Sequence, residues 1–176
     1  MDGNGRWAEQ RGLNRMAGHK AGARAVRRVV EHAARTGIDC LTLYAFSSDN
    51  WSRPREEVTH LMRLLKRYLL SEISRCIENG IRLNVIGRRD RLNPEIVSII
   101  EQAESLTADG NRLLLRVAVD YSARDAMARA AHEPCRCAGE PSAQTGCTDR
   151  DCFGRRLAAA IHATAPAGDV DLLIRS

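Results

Sequence analysis

The sequence predicts an α/β domain built on a single, mainly parallel sheet flanked by helices. Three observations carry that prediction. Strand-like apolar runs alternate with segments of helical periodicity. Caps and glycine stops stand between them, so each run is bounded by its own turn chemistry. The 176 residues, 44% hydrophobic, suffice for one compact domain with a sizeable core. One domain is expected over residues 1–176, with an irregular insert at 132–150 and no internal repeat.

The elements follow in order. Met1 opens on a loop. A helix begins near Gly18 and runs to Thr36, with Ala25, Val26, Val29, Val30, Ala33 and Ala34 on one face and Gly37 as its stop. Leu41 to Phe46 reads as a buried strand. After a polar loop, Val58, Leu61, Met62, Leu65, Leu69 and Ile73 mark one face of a long helix that Gly80 ends. Ile81 to Ile86 is the next strand. Asn93 and Pro94 supply an N-cap and a first-turn proline for a helix striped by Ile96, Ile99, Ile100 and Ala103. Leu113 to Val119 reads as a strand, Ala123 to Ala131 as a short helix, Phe153 to Ala163 as another, and Val170 to Ile174 as a final strand.

Composition excludes several classes. No apolar run is long enough to span a membrane, and no charged-then-apolar leader opens the chain, so a cytoplasmic protein is expected. The apolar content excludes disorder throughout. The net charge is +5, and lysine occurs only at Lys20 and Lys66, so the positive charge is nearly all arginine. Guanidinium forks suit bidentate contact with phosphate oxygens; a bias toward arginine codons is the plain alternative. The basic residues crowd residues 1–28, where only Asp2 and Glu9 oppose them. Aromatics make up 4% of the chain and the arginines are interspersed with acids, which argues against nucleic acid as a partner.

Four stretches could carry chemistry. In Asp2-Gly3-Asn4-Gly5-Arg6-Trp7, two glycines let backbone N–H groups approach an anion, and a carboxylate beside them can hold Mg²⁺ bridged to phosphate. An ordinary turn is the alternative. Arg15 and Gly18-His19-Lys20-Ala21-Gly22 open the first long helix, where anions are favoured; His19 as a structural cap is the alternative. This is no P-loop, because Ala21 stands where a Mg²⁺-binding hydroxyl is needed. Ser47-Ser48-Asp49-Asn50-Trp51-Ser52-Arg53-Pro54 follows a strand at its carboxyl end, where parallel sheets bind ligands; the alternative is a solvated loop with Trp51 packed down. Cys135, Cys137, Cys147 and Cys152, with His132 nearby, read as a cysteine-rich loop without catalytic meaning. Their spacing departs from the usual zinc knuckle, and structural zinc or a redox pair are the alternatives.

The first three stretches, in this order and spacing, resemble the cis-prenyltransferases. Asp171-Leu172-Leu173-Ile174-Arg175-Ser176 is similar to the start of that family's second signature. No Asp-Asp-x-x-Asp pair of the trans class occurs. The resemblance implies an α/β fold with an apolar tunnel. It implies a Mg²⁺-dependent transferase that condenses isopentenyl diphosphate onto an allylic diphosphate such as farnesyl diphosphate, making a new cis double bond. Asp2 is then expected to position Mg²⁺ and diphosphate. Gly3, Asn4, Gly5, Arg6, Trp7, Arg15 and His19 are expected to bind the allylic diphosphate. Ser47, Ser48, Asp49 and Asn50 lie beside the reacting carbons, with Asn50 at proton removal. Trp51 and Arg53 support that loop, Glu57 follows it, and Arg175 binds isopentenyl diphosphate. Ala45, Leu61, Met62, Leu65, Leu69, Ile96, Ile99, Ile100 and Leu113 are candidates to line the tunnel, or plain core.

The resemblance also implies a homodimer and a product that partitions to the membrane, which would place the protein at the membrane periphery. Asp120-Tyr121-Ser122-Ala123-Arg124 departs from the family's Asn-Tyr-Gly-Gly-Arg. The family's first strand and C-terminal part are expected to be missing, which leaves room for an inactive fragment of an active parent. A non-catalytic subunit of the same fold is the alternative; the presence of Asp2, Asn4, Arg6 and Asn50 argues against it.

Overall fold

The computed structural model describes residues 3–133, 150–164 and 169–174. Three parallel strands lie in the order β1-β3-β2: β1 Cys40–Ser47, β2 Ile81–Ile86 and β3 Leu113–Tyr121. The register aligns Leu43 with Val117 and Val85 with Val117, so β3 is bonded on both edges. The helices are α1 Asn4–Glu9, α2 Arg15–Thr36, α3 Arg55–Glu78, α4 Pro94–Leu106, α5 Ala123–His132 and α6 Arg150–Ala160.

Local chemistry sets these boundaries. The Asn14 side chain accepts from Ala17 N at 2.9 Å and starts α2, and Gly37 stops it at φ 77°. Asn93 accepts from Glu95 N at 2.9 Å and Pro94 follows as the first residue of α4. The core joins Phe46, Leu83, Val85, Leu115 and Val119 of the strands to Val30, Leu69, Ile96 and Ile100 of the helices. Beside it the Glu104 carboxylate accepts from Val85 N at 2.8 Å, Asn84 Nδ2 at 2.9 Å and Arg89 Nη2 at 2.9 Å. Fully buried Asn84 also donates to His162 O and accepts from Thr164 N, which ties the end of α6 to β2.

Three local expectations are corrected. The opening stretch is a helix rather than a loop. Its six residues are too short and glycine-rich to signal one, and packing against α2, with Ala8 fully buried, supplies what local propensity lacks. Helix α6 spans Arg150–Ala160 rather than Phe153–Ala163, because the chain turns out at His162, φ 57°. Val170 to Ile174 is not part of the sheet, and Val170, Leu172, Leu173 and Ile174 are exposed. Strand composition alone cannot make a strand without a neighbouring edge to bond.

Ile100 is fully buried beneath the sheet. Ile100→Ala is expected to cost about 2–5 kcal/mol through lost burial and a residual cavity. Urea unfolding should show a lower midpoint at unchanged slope; an unchanged midpoint would contradict this packing.

Candidate functional site

The site begins with a glycine contact. A Cβ placed on Gly18 would stand 1.9 Å from the Asn4 carbonyl oxygen, and one on Gly22 would stand 2.7 Å from Asn4 Oδ1. These two positions, one helical turn apart, therefore let the start of α1 lie directly on α2. Gly5 serves similarly, since its Cβ would press on the Arg15 guanidinium at 3.0 Å. Gly3 precedes α1 at φ 77°, a left-handed geometry suited to glycine, with the Arg6 guanidinium folded back beside it. The first two sequence stretches thus form one cradle. Trp7 stands on the outer side, half exposed, with the Arg11 guanidinium 4.4 Å from its ring centre. Asp2 and Arg175, expected to hold metal and second substrate, lie outside the described residues.

Glu57 joins the cradle to the third stretch. Its Oε1 lies 2.9 Å from Arg53 Nη1 and 3.8 Å from Arg15 Nη2. Arg15 also bonds Glu9 at 3.2 Å. A single carboxylate thereby sets two guanidinium groups from different elements side by side. His19 and His60 stand in the same group, and Nε2 of each is buried without a hydrogen-bond partner among the described residues. Burial holds the His19 imidazole below its usual 6.5; Glu57 pulls it back up, while Arg53, Arg15 and His60 push it down. A cavity of about 320 Å³ opens between Arg15, His19, Glu57 and His60.

The third stretch is a 3₁₀ turn, Ser48–Ser52, at the carboxyl end of β1. Ser47 N donates to Asn50 Oδ1 at 3.2 Å, and the Asn50 carbonyl accepts from Arg53 N at 3.2 Å. With its oxygen engaged by the backbone, the Asn50 amide keeps its N–H donors for other partners. Asp49 is exposed. Trp51 packs down, its ring 5.2 Å from that of Phe46 in edge-to-face contact. The packed-down Trp51 of the alternative reading is thus observed, on a polar turn at the carboxyl end of β1.

Beneath the cradle lies an apolar cavity of about 280 Å³. Ala45, Leu61, Met62, Leu65 and Leu69 line its wall, Asn4 and His19 join it to the cradle, and Arg27, Glu31, Glu72 and Arg75 also border it. These five candidates line it as expected. Ile96, Ile99, Ile100 and Leu113 do not; α4 packs into the core instead. The arrangement suits an amphiphile with an anionic head and a hydrocarbon tail.

Sequence reasoning missed His60 and gave Glu57 no task. The spacing Glu57–His60, one helical turn on a face turned toward His19, was the available signal. Among the described residues no group of three His, Cys, Asp or Glu could hold a metal ion. Magnesium typically takes one or two carboxylates and completes its shell with phosphate and water, so a carboxylate such as that of Asp2 is a donor of the kind it prefers. Cys152 is buried in α6, while Cys135, Cys137 and Cys147 lie outside the described residues.

Comparison with known proteins agrees with this geometry. The family model described as putative undecaprenyl diphosphate synthase matches residues 1–176. Isoprenyl transferase 1 of Bradyrhizobium diazoefficiens is 51% identical over 100% of this chain and 67% of its own length. Isoprenyl transferase of Caulobacter vibrioides is 40% identical over 100% of this chain and 66% of its own length. The chain thus spans about two thirds of these relatives. Both are named as transferases, which gives no support to a non-catalytic subunit. The crystal structure of lavandulyl diphosphate synthase from Lavandula x intermedia, in complex with dimethylallyl diphosphate, superimposes with a TM-score of 0.72. It is 30% identical over 74% of this chain and 56% of that one. A probable undecaprenyl diphosphate synthase from Campylobacter jejuni superimposes with a TM-score of 0.60 at 32% identity, over 63% of this chain and 54% of that one.

Two outcomes test the cradle. Gly18→Ala should abolish pyrophosphate binding, because backbone must move, whereas Gly22→Ala should weaken it less, because a side chain can give; calorimetry with equal losses would refute the α1–α2 contact. The His19 imidazole should titrate below 6.5 by proton NMR and move upward on adding pyrophosphate, since the anion favours the charged ring. Because its pKa is depressed by folding, the fold should lose stability as pH falls through 6.5. A midpoint at or above 6.5 in the free protein would contradict the burial.

Proposed function

The chain belongs to the undecaprenyl diphosphate synthase family, and from that premise we propose that it elongates prenyl chains in the cis configuration. Isopentenyl diphosphate is joined to an allylic diphosphate such as farnesyl diphosphate, and diphosphate is released. The observation that carries this reading is the junction of a polar cradle with an apolar cavity at Asn4 and His19. A prenyl diphosphate has the same two-part chemistry.

In this reading Gly3, Asn4, Gly5, Arg6 and Trp7, with Arg15 and His19, hold the allylic diphosphate. Preorganised donors around the leaving group lower the barrier, because charge accumulates there as the bond breaks. Asp2 holds Mg²⁺, which when bound neutralises part of that charge. Ser47, Ser48, Asp49 and Asn50 border the reacting carbons, Trp51 and Arg53 support them, and Arg175 takes the second diphosphate. Asn50 is a weak base, so its amide orients the reacting groups and a diphosphate oxygen takes the proton. The protein acts as a homodimer, and its product partitions into membranes. No described helix is long and apolar enough to cross one.

The test incubates the protein at its natural length with labelled isopentenyl diphosphate, farnesyl diphosphate and Mg²⁺. Chain-extended product is expected, and its absence with every allylic primer would sink the reading. Asp2→Ala should lower turnover by about a hundredfold or more with an unchanged circular dichroism spectrum.

A further inference from the structure

Asp120 is fully buried at the carboxyl end of β3, yet its carboxylate reaches two other segments. Ser48 Oγ of the 3₁₀ turn donates to Oδ1 at 3.0 Å. Arg91 Nε donates to Oδ2 at 2.8 Å, and Arg91 Nη2 bonds Oδ1, a bidentate fork. The same guanidinium lies 5.6 Å from the centre of the Trp51 ring. The main chain at Asp120 is left-handed, φ 50°, a geometry that Asp tolerates better than most residues and that persists only where surroundings enforce it. The enforcement is visible: Arg88 N donates to Asp120 O at 3.1 Å, and Gly87 packs so tightly on Val119 that a Cβ would stand 2.0 Å from its carbonyl oxygen.

We propose that Asp120 is a positioning residue: with Arg91 it latches Ser48 and Trp51, and so fixes the turn that carries Asn50. The geometry favours this over a purely structural ion pair. A buried carboxylate needs its partners, and Arg91 alone could have satisfied both of its oxygens. Instead one oxygen is shared with a hydroxyl of the turn, and the guanidinium meets the turn's only aromatic ring. Both ends of the latch hold the same five residues. Its contacts fall on Ser48 and Trp51, while Arg53, into which the turn leads, is held separately by Glu57, so the latch should act on the turn more than on the anion contacts. The catalytic consequence rests on the function proposed above.

The test compares Asp120→Leu, Asp120→Asn and Arg91→Gln in the protein at its natural length. Arg91→Gln keeps an amide donor for the buried carboxylate and Asp120→Asn removes its charge, so these two variants and their urea midpoints keep the test readable if Asp120→Leu does not fold. Hydrogen exchange should speed up by about tenfold at the amides of 48–53 in Arg91→Gln and Asp120→Leu, with α4 and β2 unchanged. Asp120→Asn keeps one acceptor for Ser48 but sets an NH2 donor against the Arg91 fork, so its exchange should fall between wild type and Asp120→Leu. In elongation assays kcat should fall about tenfold or more in the first two variants, with allylic diphosphate affinity held within about twofold. Unchanged exchange in the turn overturns the latch, whatever the activity. Faster exchange with unchanged kcat, or equal losses in kcat and affinity, overturns its catalytic role. A wild-type protein that binds no allylic diphosphate overturns the proposed function and that catalytic role, while exchange still judges the latch.

Discussion

The candidate site depends on one steric permission. The Asn4 carbonyl oxygen occupies the space where any residue but glycine at position 18 would carry its Cβ. Everything polar follows from that approach. It turns a six-residue helix, too short to persist alone, into a fixed wall, and it sets Asn4 at the mouth of the apolar cavity beside His19. The energy of α1 is thus tertiary, and its position is set by missing atoms rather than by a bond.

The second constraint is electrostatic. Arg15 and Arg53 come from different elements, and like charges brought together repel unless a counter-charge lies between them. Glu57 supplies it, at 3.8 Å and 2.9 Å. These groups are well solvated, so each pair adds little stability. Their value is geometric: one carboxylate orients both forks, which under the proposed function lowers the ordering cost of binding a diphosphate. Burial holds the His19 imidazole below its usual 6.5, and in the proposed function a bound diphosphate would favour the charged ring.

Much of this was legible in the sequence. The strands β1, β2 and β3 and the helices α2 to α5 follow from periodicity and caps at Asn93, Gly37 and Gly80, and the sheet is parallel as expected. The two stretches of the cradle were recognisable as residue types, but their contact was not. Sequence spacing cannot show that Gly18 and Gly22 face Asn4. For the same reason Ile96 and Leu113 read as tunnel lining and proved to be core, since an apolar stripe does not say what it faces. The run Val170 to Ile174 misled because strand propensity describes a surface that needs a partner. Asp120 was noticed only as a departure in residue type. Its partners lie 29 and 72 residues away, and no local pattern encodes them.

The division between polar and apolar halves is itself a consequence of the sheet. Parallel strands all point their carboxyl ends one way, so the turn after β1, the bend at Asp120 and the donors of Arg91 meet at one rim. Below that rim Leu43, Leu83, Leu115, Val117 and Val119 line the cavity, while buried Asn84 and Arg116 occupy alternate positions of β2 and β3. A cavity between sheet and helices therefore has apolar walls, and its charged neighbours Arg27 and Glu72, from α2 and α3, are paired with each other. The irregular register after Tyr44 in β1 adds the remaining adjustment. A bulge re-aims the residues that follow it, and here it sits immediately before the turn that carries Ser48 and Asn50. The fold supplies a cavity beneath the 48–52 turn's rim, and the contacts of Asp120 and Arg91 bear on how rigidly that turn is held.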